Sequence, residues 1–316
     1  MTCIRRGFGP CVLLVLTLAG MTGSAQESRE YPFGRGVVKW VSTQWLEDHL
    51  KDPNLTIIDT QPDVHDYVVE HIRNAVYLSD FTLQAPKDGL PVQYIPSDAI
   101  RLLFRRIGLD NDDPVVVYTA KGAYTSSGSG LGQTMLAYTL ARFGHNRVYV
   151  LDGGLDKWKR EGRPVTQEFP TVTEGRFRPT IRDEYFVDME ELKKIKDRGD
   201  VILLDARPAK LYQGKGPWIK QGHIPGAVSL PWRSLMADDN ATLLKSDDQI
   251  DAILKGRNIS PDKTVIVSCG TGREATSEFL LFKWYLGYPN VKIYEGSFTE
   301  WCAYPENPTV AGVSPR

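Results

Sequence analysis

Cys269 is the residue of this sequence whose type and position are best suited to chemistry. It follows the apolar run Val265-Ile266-Val267-Ser268 and opens the loop Gly270-Thr271-Gly272-Arg273-Glu274-Ala275-Thr276, after which an apolar helical pattern begins. The thiol is therefore predicted to lie where a buried strand turns into a helix. Because the unpaired amides of a helix N-terminus favour thiolate over thiol, we expect a lowered pKa and a reactive Cys269. The alternative is a small buried hydrophobic residue at a strand end.

The elements around this cysteine occur twice in the chain, in the same order in both halves. Such a long-period repeat indicates two copies of one structural unit. Four segments of the first half resemble four of the second: Ile57-Ile58-Asp59-Thr60 and Leu203-Leu204-Asp205-Ala206, Glu70-His71-Ile72-Arg73-Asn74-Ala75 and Gly222-His223-Ile224-Pro225-Gly226-Ala227, Val115-Val116-Val117-Tyr118-Thr119 and Val265-Ile266-Val267-Ser268-Cys269, and residues 148–158 and 291–301.

The two copies differ at the position of the thiol. Thr119 stands where the second copy has Cys269, and the loop that follows it, residues 120–130, is longer. A threonine hydroxyl without a neighbouring base is a poor nucleophile. We therefore expect the first unit to be structural, or to shape one wall of a cleft between the domains.

Each copy alternates short β-branched runs with helical patterns, as in the stretch with Ile100, Leu103, Phe104 and Ile107 on one face. This alternation predicts an α/β fold of two domains, each a parallel sheet with helices on both faces. Ligands of such sheets bind beyond the carboxyl ends of the strands, where Cys269 is placed. The predicted divisions are a signal peptide at 1–25, a first domain at 37–165, a polar linker at 166–183 and a second domain at 184–316.

Length and composition fit this division. The chain has 316 residues, a net charge of -1 and 41% hydrophobic residues, which suits two ordinary globular domains. No long run of lysine and arginine indicates nucleic-acid binding. The five histidines are scattered, without metal-ligand spacing, so no metal site is predicted.

The N-terminus has the features of a secretory signal. Arg5 and Arg6 are followed by an apolar stretch at residues 12–18 and by the small residues Gly23-Ser24-Ala25. We expect export, to the periplasm in a bacterium, and a mature chain without a membrane span. The pair Arg5-Arg6 faintly resembles a twin-arginine signal, but an ordinary charged n-region is favoured. Cleavage would leave Cys269 and Cys302, for which we favour free thiols over a disulfide bridge.

A resemblance to a known family rests on four segments of the second half, which are Asp205-Ala206-Arg207, Gly222-His223-Ile224-Pro225-Gly226-Ala227, Cys269-Gly270-Thr271-Gly272 and residues 294–301. In this ordered set the chain resembles the tandem-domain sulfurtransferases of the rhodanese family. The resemblance implies two rhodanese-like domains, a catalytic Cys269 and a reaction that needs neither a metal nor an organic cofactor. It implies that this cysteine takes a sulfane sulfur from a small anionic donor, thiosulfate or 3-mercaptopyruvate, and holds it as a persulfide. A thiol or cyanide then accepts the sulfur, and the acceptor can also be a protein.

The resemblance also assigns roles within the loop. Residues from Gly270 to Thr276 would surround the persulfide with amides, while Arg273 and Lys210 would hold the anionic donor. Other interpretations stay open: Arg273 can pair with Glu274 or with an acid of the first domain, and Thr276 can cap the helix instead of contacting sulfur. The loop resembles the mercaptopyruvate type at its two glycines, whereas Arg273-Glu274 fits neither familiar type, so the donor stays open.

Several further residues have mainly structural interpretations. Arg207 is expected to bind a neighbouring acid, and Lys210, Lys215 and Lys220 to lie in a solvated loop or to form a cationic rim. Glu274 is expected to be a surface acid favoured by the helix dipole. Two pairs of residues occupy matching positions in the two copies. His71 and His223 are expected to be structural turn histidines, and Trp158 and Trp301 are expected to be core tryptophans.

Three other functions compete with sulfur transfer. A phosphatase of similar fold needs a longer loop with an arginine six positions after the cysteine, where this sequence has Ala275. A non-enzymatic persulfide carrier or binding module would use the same thiol. A pure scaffold leaves unexplained why one loop has Cys269 while its counterpart has Thr119.

Overall fold

Two parallel five-stranded sheets, one in each half of the chain, form the framework of the protein. The structure is a computed structural model, and it describes residues 30–316. The predicted signal segment, with Cys3 and Cys11, lies outside the described residues. The first sheet has the strand order β1-β7-β6-β2-β3 and the second has the order β10-β9-β11-β12-β8. All pairings within the two sheets are parallel, which confirms the predicted fold class.

The first half contains seven strands and five helices among the described residues. The strands are β1 (Val38–Val41), β2 (Thr56–Asp59), β3 (Ala75–Tyr77), β4 (Gln84–Lys87), β5 (Leu90–Tyr94), β6 (Val115–Tyr118) and β7 (Val148–Leu151). The helices are α1 (Thr43–His49), α2 (Val64–Val69), α3 (Ser97–Arg106), α4 (Gly132–Arg142) and α5 (Gly154–Arg160). A 3-10 helix at Asp80–Leu83 leads into β4 and β5, an antiparallel hairpin outside the main sheet.

The second half repeats the arrangement with five strands and five helices among the described residues. The strands are β8 (Phe186–Val187), β9 (Val201–Asp205), β10 (Val228–Ser229), β11 (Thr264–Ser268) and β12 (Val291–Tyr294). The helices are α6 (Met189–Ile195), α7 (Ala209–Tyr212), α8 (Asp247–Lys255), α9 (Arg273–Leu280) and α10 (Ser297–Ala303). Shorter turns are 3-10 helices at Asp183–Tyr185 and Trp232–Leu235 and a π-helical turn at Leu281–Tyr285.

The central strands are buried on both faces, which is why they are continuous apolar runs in the sequence. Successive side chains of a strand point to opposite faces of the sheet. In β11, Val265 and Val267 therefore join a core that both domains share, whereas Ile266 joins a second core on the outer face of its own sheet. In β6, Val117 and Val116 divide in the same way.

The two domains are joined mainly through α4 and α9. Tyr138 of α4 packs edge-to-face on Phe279 of α9, with ring centroids 5.0 Å apart. The Tyr138 hydroxyl donates to the Glu295 carboxylate at 2.7 Å, and Arg142 donates to both oxygens of that carboxylate, at 2.6 and 2.9 Å. Since Glu295 follows β12 near the loop of Cys269, this buried ion pair links the first domain to the loop.

Candidate active site

Cys269 lies directly after the central strand β11, and its side chain is fully buried. The loop turns at Gly272, whose φ of 86° is in the left-handed region, and α9 begins at the next residue. A Cβ atom on Gly272 would lie 2.8 Å from the carbonyl oxygen of Glu295, so any side chain there would move the loop. The predicted position at a strand-to-helix turn is confirmed.

Backbone amides converge on the sulfur, as the sequence predicted. The amide of Gly272 donates to Cys269 Sγ at 3.1 Å, and the amides of Thr271 and Ala275 act in the same direction. The Ser297 hydroxyl is 3.8 Å from the same sulfur. Amide donors placed in this way stabilise negative charge on sulfur, and a persulfide anion needs that stabilisation.

The prediction of a lowered pKa for Cys269 is wrong. Burial raises the pKa of this thiol well above its ordinary value, and the carboxylate of Glu274 raises it further through its charge and as a hydrogen-bond acceptor. The amides of Ala275 and Thr271 oppose the rise without overcoming it. Sequence reasoning had counted the amides but neither the complete burial nor a carboxylate facing the thiol.

Arg273 is a residue of the loop that contacts the first domain. Arg273 Nε donates to Asp80 at 2.5 Å, its Nη1 donates to the Ser129 hydroxyl at 3.1 Å, and its guanidinium lies over the ring of Phe81. Of the interpretations left open for Arg273, the structure therefore confirms the ion pair with an acid of the first domain. Asp80 itself was not singled out from the sequence, because an isolated acid gives no signal of its distant partner.

Thr276 does not direct its hydroxyl at the sulfur. The hydroxyl donates to the carbonyl of Arg273 at 2.8 Å and is 3.1 Å from the hydroxyl of Thr134 in α4. The alternative of capping the helix is also wrong, because α9 already begins at Arg273 and the Thr276 hydroxyl donates to a carbonyl within the helix.

The lysines proposed as a cationic rim differ in their contacts. Lys210 is exposed, and its side chain has no hydrogen bond or ion pair with the residues at 30–316. Lys220 donates to the carbonyl oxygens of Tyr304, Pro305 and Asn307 and so holds the C-terminal segment. Lys220 is therefore occupied by backbone carbonyls, whereas Lys210 stays a candidate contact for a donor.

Trp218 covers the loop of Cys269 from the side of the second domain. Its ring lies so close to Gly270 that a Cβ atom there would be 2.9 Å from the indole, and its Nε1 donates to the Thr299 hydroxyl at 2.8 Å. From the first domain, the amide nitrogen of Gln84 donates to the carbonyl of Thr271 at 3.0 Å. Cys269 is therefore enclosed from both domains, and neither covering residue had a signal in the sequence.

Arg207 binds the acid that precedes it, as expected. Its Nε and Nη2 donate to the two carboxylate oxygens of Asp205 at 2.9 and 2.6 Å, and Nη2 also donates to the carbonyl of Gly222. Both residues of this ion pair are almost completely buried, and the guanidinium is stacked between Trp218 and Phe298. The pair fixes the end of β9 beside the loop of Cys269.

In the first domain, Asp59 occupies the position that corresponds to Asp205, but the position of Arg207 is a glutamine. Asp59 accepts hydrogen bonds from the backbone and side chain of Gln61, the counterpart of Arg207, and burial raises its pKa from 3.8 to about 7. Since the folded state holds this proton more tightly, the contribution of Asp59 to stability is present at low pH and is lost as the pH rises from 3.8 to about 7.

Replacement of Asp59 by asparagine should remove that pH dependence. We expect the free energy of unfolding of Asp59→Asn to change less than that of the unmodified protein across this pH range, and to exceed it at the alkaline end. Urea denaturation at a series of pH values measures both quantities. An unaltered pH dependence in the variant would contradict the assignment to Asp59.

The matched histidines and tryptophans have structural contacts. His71 stacks on Tyr67 and His223 on Tyr212, and both nitrogens of each imidazole face backbone carbonyl oxygens. The indoles of Trp158 and Trp301 are buried and donate to the carbonyls of Pro164 and Pro308 at 2.8 Å. These interpretations from the repeat are confirmed.

Ser297 is a residue of the site that sequence reasoning missed. Its φ of 53° is in the left-handed region, which is costly for a side chain with a Cβ atom, and its counterpart in the first domain is Gly154, with a φ of 59°. The Ser297 hydroxyl accepts from the amide of Cys269 at 3.1 Å and donates to the carbonyl of Tyr294 at 2.9 Å. The difference between Ser297 and Gly154 in the aligned repeats was the available signal.

We expect Ser297→Gly to slow sulfur transfer by roughly three- to tenfold, the equivalent of about 1 kcal/mol of lost hydrogen bonding. The free energy of unfolding should change by less than about 1 kcal/mol, because relief of the backbone strain offsets that loss. Steady-state rates and urea denaturation test the two expectations. Ser234→Ala is the control, since that hydroxyl only donates to the carbonyl of Pro231. An equal rate in Ser297→Gly and the control would contradict the role given to Ser297.

In the first domain, the position that corresponds to Cys269 contains a buried threonine, Thr119, and no thiol. The Thr119 hydroxyl is buried and donates to the carbonyl of Thr60 at 2.8 Å. A cavity of about 620 Å³ lies next to the loop that follows Thr119, between that loop and residues 239–242 of the second domain. This cavity is not lined by the loop of Cys269. Sulfur chemistry is therefore expected at the second domain alone.

Within residues 30–316, no group of three or more histidine, cysteine, aspartate or glutamate side chains is placed to hold a metal ion. Cys269 and Cys302 are both free and buried, as favoured from the sequence. In the same range, no helix combines the length and the apolar character that a membrane crossing requires.

Comparison with known proteins relates both halves of the chain to the same domain family. Residues 42–161 and 188–304 each match the rhodanese-like domain family. A protein of Synechococcus elongatus that is named as a thiosulfate sulfurtransferase is 36% identical, over 85% of this chain and 84% of its own length. The 3-mercaptopyruvate sulfurtransferase of Escherichia coli is 30% identical, over 85% of this chain and 96% of its own. The sulfur carrier protein TtuD of Thermus thermophilus is 31% identical, over 83% and 92%.

Solved structures show the same architecture. The crystal structure of SseA from Escherichia coli superposes with a TM-score of 0.72 at 29% identity, covering 82% of this chain and 98% of that one. The anaerobic ergothioneine biosynthesis enzyme of Chlorobium limicola superposes with a TM-score of 0.76, covering 87% of this chain and 70% of that one. At 22% identity, this second likeness concerns the fold alone.

Proposed function

Because this chain belongs to the rhodanese family, we propose that Cys269 carries the transferred sulfur as a persulfide. The chain is a sulfurtransferase of the thiosulfate and 3-mercaptopyruvate type. The observation that carries the assignment to Cys269 is the convergence of loop amides on its sulfur, with Gly272 donating at 3.1 Å. Its counterpart Thr119 has neither a thiol nor a free hydroxyl.

The proposed reaction has two steps. In the first, the Cys269 thiolate attacks the outer sulfur of thiosulfate or the sulfur of 3-mercaptopyruvate. A new S–S bond forms, and the donor's S–S or C–S bond breaks so that its electron pair leaves with sulfite or with the enolate of pyruvate. In the second step a thiol or cyanide attacks the outer sulfur, and the thiolate of Cys269 is restored. The amides of the loop stabilise both the thiolate and the persulfide anion, and this is electrostatic catalysis by fixed dipoles.

Arg273 and Lys210 are the proposed contacts for the anionic part of the donor. Arg273 binds Asp80 and Ser129 through Nε and Nη1, while Nη2 has no hydrogen bond with the described residues. That nitrogen can donate to a sulfonate or a carboxylate. Since Asp80 already offsets the charge of Arg273, a singly charged donor is favoured over a doubly charged one. We therefore favour 3-mercaptopyruvate over thiosulfate as the donor.

Steady-state kinetics with each donor, and cyanide as the acceptor, tests this proposal. We expect kcat/KM to be higher for 3-mercaptopyruvate than for thiosulfate, and the difference to narrow in Asp80→Asn, which leaves the charge of Arg273 without its counterion. A preference for thiosulfate in the unmodified protein would contradict the donor assignment while leaving the sulfurtransferase activity in place.

A second candidate function is delivery of the sulfur to another protein. It is favoured by the likeness to TtuD, which is named as a sulfur carrier protein. In that case the loaded protein would keep its persulfide in the presence of small thiols and release it to a protein acceptor. Rapid discharge by small thiols alone would favour the enzymatic role instead.

We also propose that the chain is exported. The proposal is supported by Arg5 and Arg6, the apolar residues 12–18 and the small residues Gly23-Ser24-Ala25. Expression of the full chain in a bacterium, followed by N-terminal sequencing of the protein from the periplasmic fraction, tests it. A start near residue 26 is expected, and full-length protein confined to the cytoplasm would contradict export.

A further inference from the structure

The cavity of about 620 Å³ beside the first domain takes no part in the reaction described so far. Its walls come from both domains, with the loop that follows Thr119 and helix α5 on one side and Arg233 with residues 239–242 on the other. It lies at the edge of the first sheet where the strands end, and this is where parallel sheets bind their ligands. A cavity of this volume is within the range that small-molecule ligands occupy.

The cavity is the counterpart, in the first domain, of the space around the loop of Cys269. Each domain places a 3-10 helix and the segment after it against the other domain. From the first domain, Asp80–Leu83 and the hairpin that follows contact the loop of Cys269. From the second domain, Trp232–Leu235 and the segment that follows contact Gly153 at the start of α5. The repeat therefore produces two clefts between the domains, one with the thiol and one with Thr119.

The walls of this second cleft are held together by contacts between the domains. The buried side chain of Asn240 donates to the carbonyl of Gly153 at 2.9 Å and accepts from the Thr242 hydroxyl at 2.6 Å. Gly130 lies so close to the second domain that a Cβ atom there would be 2.7 Å from the carbonyl oxygen of Ala241. Because a preorganised pocket loses little conformational freedom on binding, such walls favour the binding of a small ligand.

Positive charge dominates the lining of the cavity. Four basic side chains stand against two carboxylates, and they are Lys121, Lys159, Arg160 and Arg233 against Asp156 and Asp239. Lys159 pairs with Glu70, and Arg160 pairs with Asp239 at 3.2 Å through side chains that are both more than half exposed. Since such an exposed ion pair is weak, an anion in the cavity can compete for Arg160.

Two of the basic side chains have no acid partner among the described residues. Lys121 is exposed, and only its backbone amide is engaged, in a hydrogen bond to Asp156 at 2.9 Å. Arg233 donates through Nη1 and Nη2 to the carbonyl oxygens of residues 236–238, so its position is fixed while no ion pair offsets its charge. A fixed guanidinium and an unpaired ammonium group that line one cavity are suited to bind an anion.

The lining also defines the chemical class of the ligand. Apart from the charged groups, it consists of alanine, glycine, asparagine and threonine, and no aromatic ring lines the cavity among the described residues. A nucleotide base would therefore find no stacking partner. A volume of about 620 Å³ is also larger than a single sulfate or phosphate ion requires. The lining suits a small, non-aromatic molecule with two or more negative charges.

We propose that this cavity is a second, non-catalytic binding site, which takes a small non-aromatic polyanion of the size of pyrophosphate or citrate. The inference goes beyond the proposed function, because the ligand would contact neither Cys269 nor its loop. Phosphate and carboxylate groups share the negatively charged oxygens that lysine and arginine recognise, and separate titrations distinguish the two sources.

Isothermal titration calorimetry of the unmodified protein with inorganic pyrophosphate, and separately with citrate, tests the proposal. We expect saturable binding of at least one of them with a Kd below about 1 mM at low salt, and weaker binding as the ionic strength rises. The tighter of the two identifies the kind of anionic group. Acetate, which carries one charge, should show no saturation in this range. The absence of saturable binding of both polyanions up to about 10 mM would overturn the proposal.

Charge reversal at the exposed lysine locates the binding. Lys121→Glu should raise the Kd by at least about tenfold, because it places a like charge beside the ligand. Lys51→Glu is the matched control, since Lys51 is also exposed but precedes β2, at the opposite edge of the same sheet. It should leave the Kd unchanged. Arg273→Gln should also leave the Kd unchanged, which separates this site from the one at Cys269. A loss in either of these two variants as large as in Lys121→Glu would overturn the location.

A measurement on the unmodified protein tests the same location without any variant. Brief acetylation of the lysines, quantified at each position by peptide mass spectrometry, should modify Lys121 more slowly when the polyanion is bound. The reactivity of Lys51 should stay the same. Equal reactivity of Lys121 with and without saturating ligand would contradict the proposal. None of these outcomes affects the assignment of Cys269, which stands or fails on the transfer of sulfur.

Discussion

Cys269→Ser is expected to lose all measurable sulfur transfer, a fall of at least about 10⁴-fold, on the scale seen when a nucleophile is removed. The serine side chain keeps nearly the same shape in the fully buried position after β11. A hydroxyl oxygen cannot form the S–S bond that holds the sulfur between donor and acceptor. Assay of thiocyanate formation from cyanide, with each donor in turn, measures the loss.

The second cysteine provides the control for this prediction. Cys302 is a free thiol buried in α10, in the core on the outer face of the second sheet. Cys302→Ala should keep the transfer rate of the unmodified protein. If Cys269→Ser retained activity and Cys302→Ala lost it, the assignment of the reactive thiol would be wrong.

Arg207→Gln is expected to destabilise the protein by about 3–5 kcal/mol, the cost of leaving one partner of a buried ion pair alone. It copies the first domain, where Gln61 faces Asp59 and where burial raises the pKa of the acid to about 7. Asp205 should respond in the same way. The destabilisation is therefore largest above neutral pH, where Asp205 would be charged without its counterion, and smaller at acidic pH. Urea denaturation across pH measures both.

The double variant with Asp205→Asn separates the ion pair from simple loss of packing. Asparagine and glutamine at positions 205 and 207 can hydrogen-bond without a buried charge, so much of the lost stability should return. A destabilisation by Arg207→Gln of less than about 1 kcal/mol, the value typical of an exposed pair, would contradict the account. Sulfur transfer should fall along with stability, because the pair fixes the end of β9 beside the loop.

The parts of the structure that could be predicted from the sequence are those that depend on residues close together in the chain. Strand β11 is an unbroken apolar run because both of its faces are buried, and the repeat placed its counterpart β6 in the first half. The ion pair of Arg207 and Asp205 was predictable because the two residues are neighbours in the chain. The position of Cys269 followed from the same strand and from the glycine-rich turn.

The parts that could not be predicted depend on contacts between distant segments. Arg273 and Asp80 belong to different domains, and no pattern in the sequence brings them together. Trp218 reaches Gly270 from a loop of the same domain, and this contact likewise has no local signal. The sign of the pKa shift of Cys269 was wrong mainly because the complete burial of the thiol, the largest cause of the raised pKa, depends on packing by distant segments.

Phosphatase chemistry finds no support in the geometry of the loop. The position six residues after Cys269 is Ala275, which is buried, and the nearest arginine of the loop, Arg273, binds Asp80. A pure scaffold does not account for Ser297, which keeps a strained backbone where its counterpart is Gly154 and contacts the thiol. Sulfur transfer accounts for both the strained backbone of Ser297 and its contact with the thiol.

Intact mass spectrometry of the mature protein after exposure to 3-mercaptopyruvate, and separately to thiosulfate, tests the persulfide at Cys269 most directly. The account predicts a gain of one sulfur atom, located on the peptide that contains Cys269, removed by cyanide and absent in Cys269→Ser. No gain with either donor, or the same gain in Cys269→Ser, would contradict it.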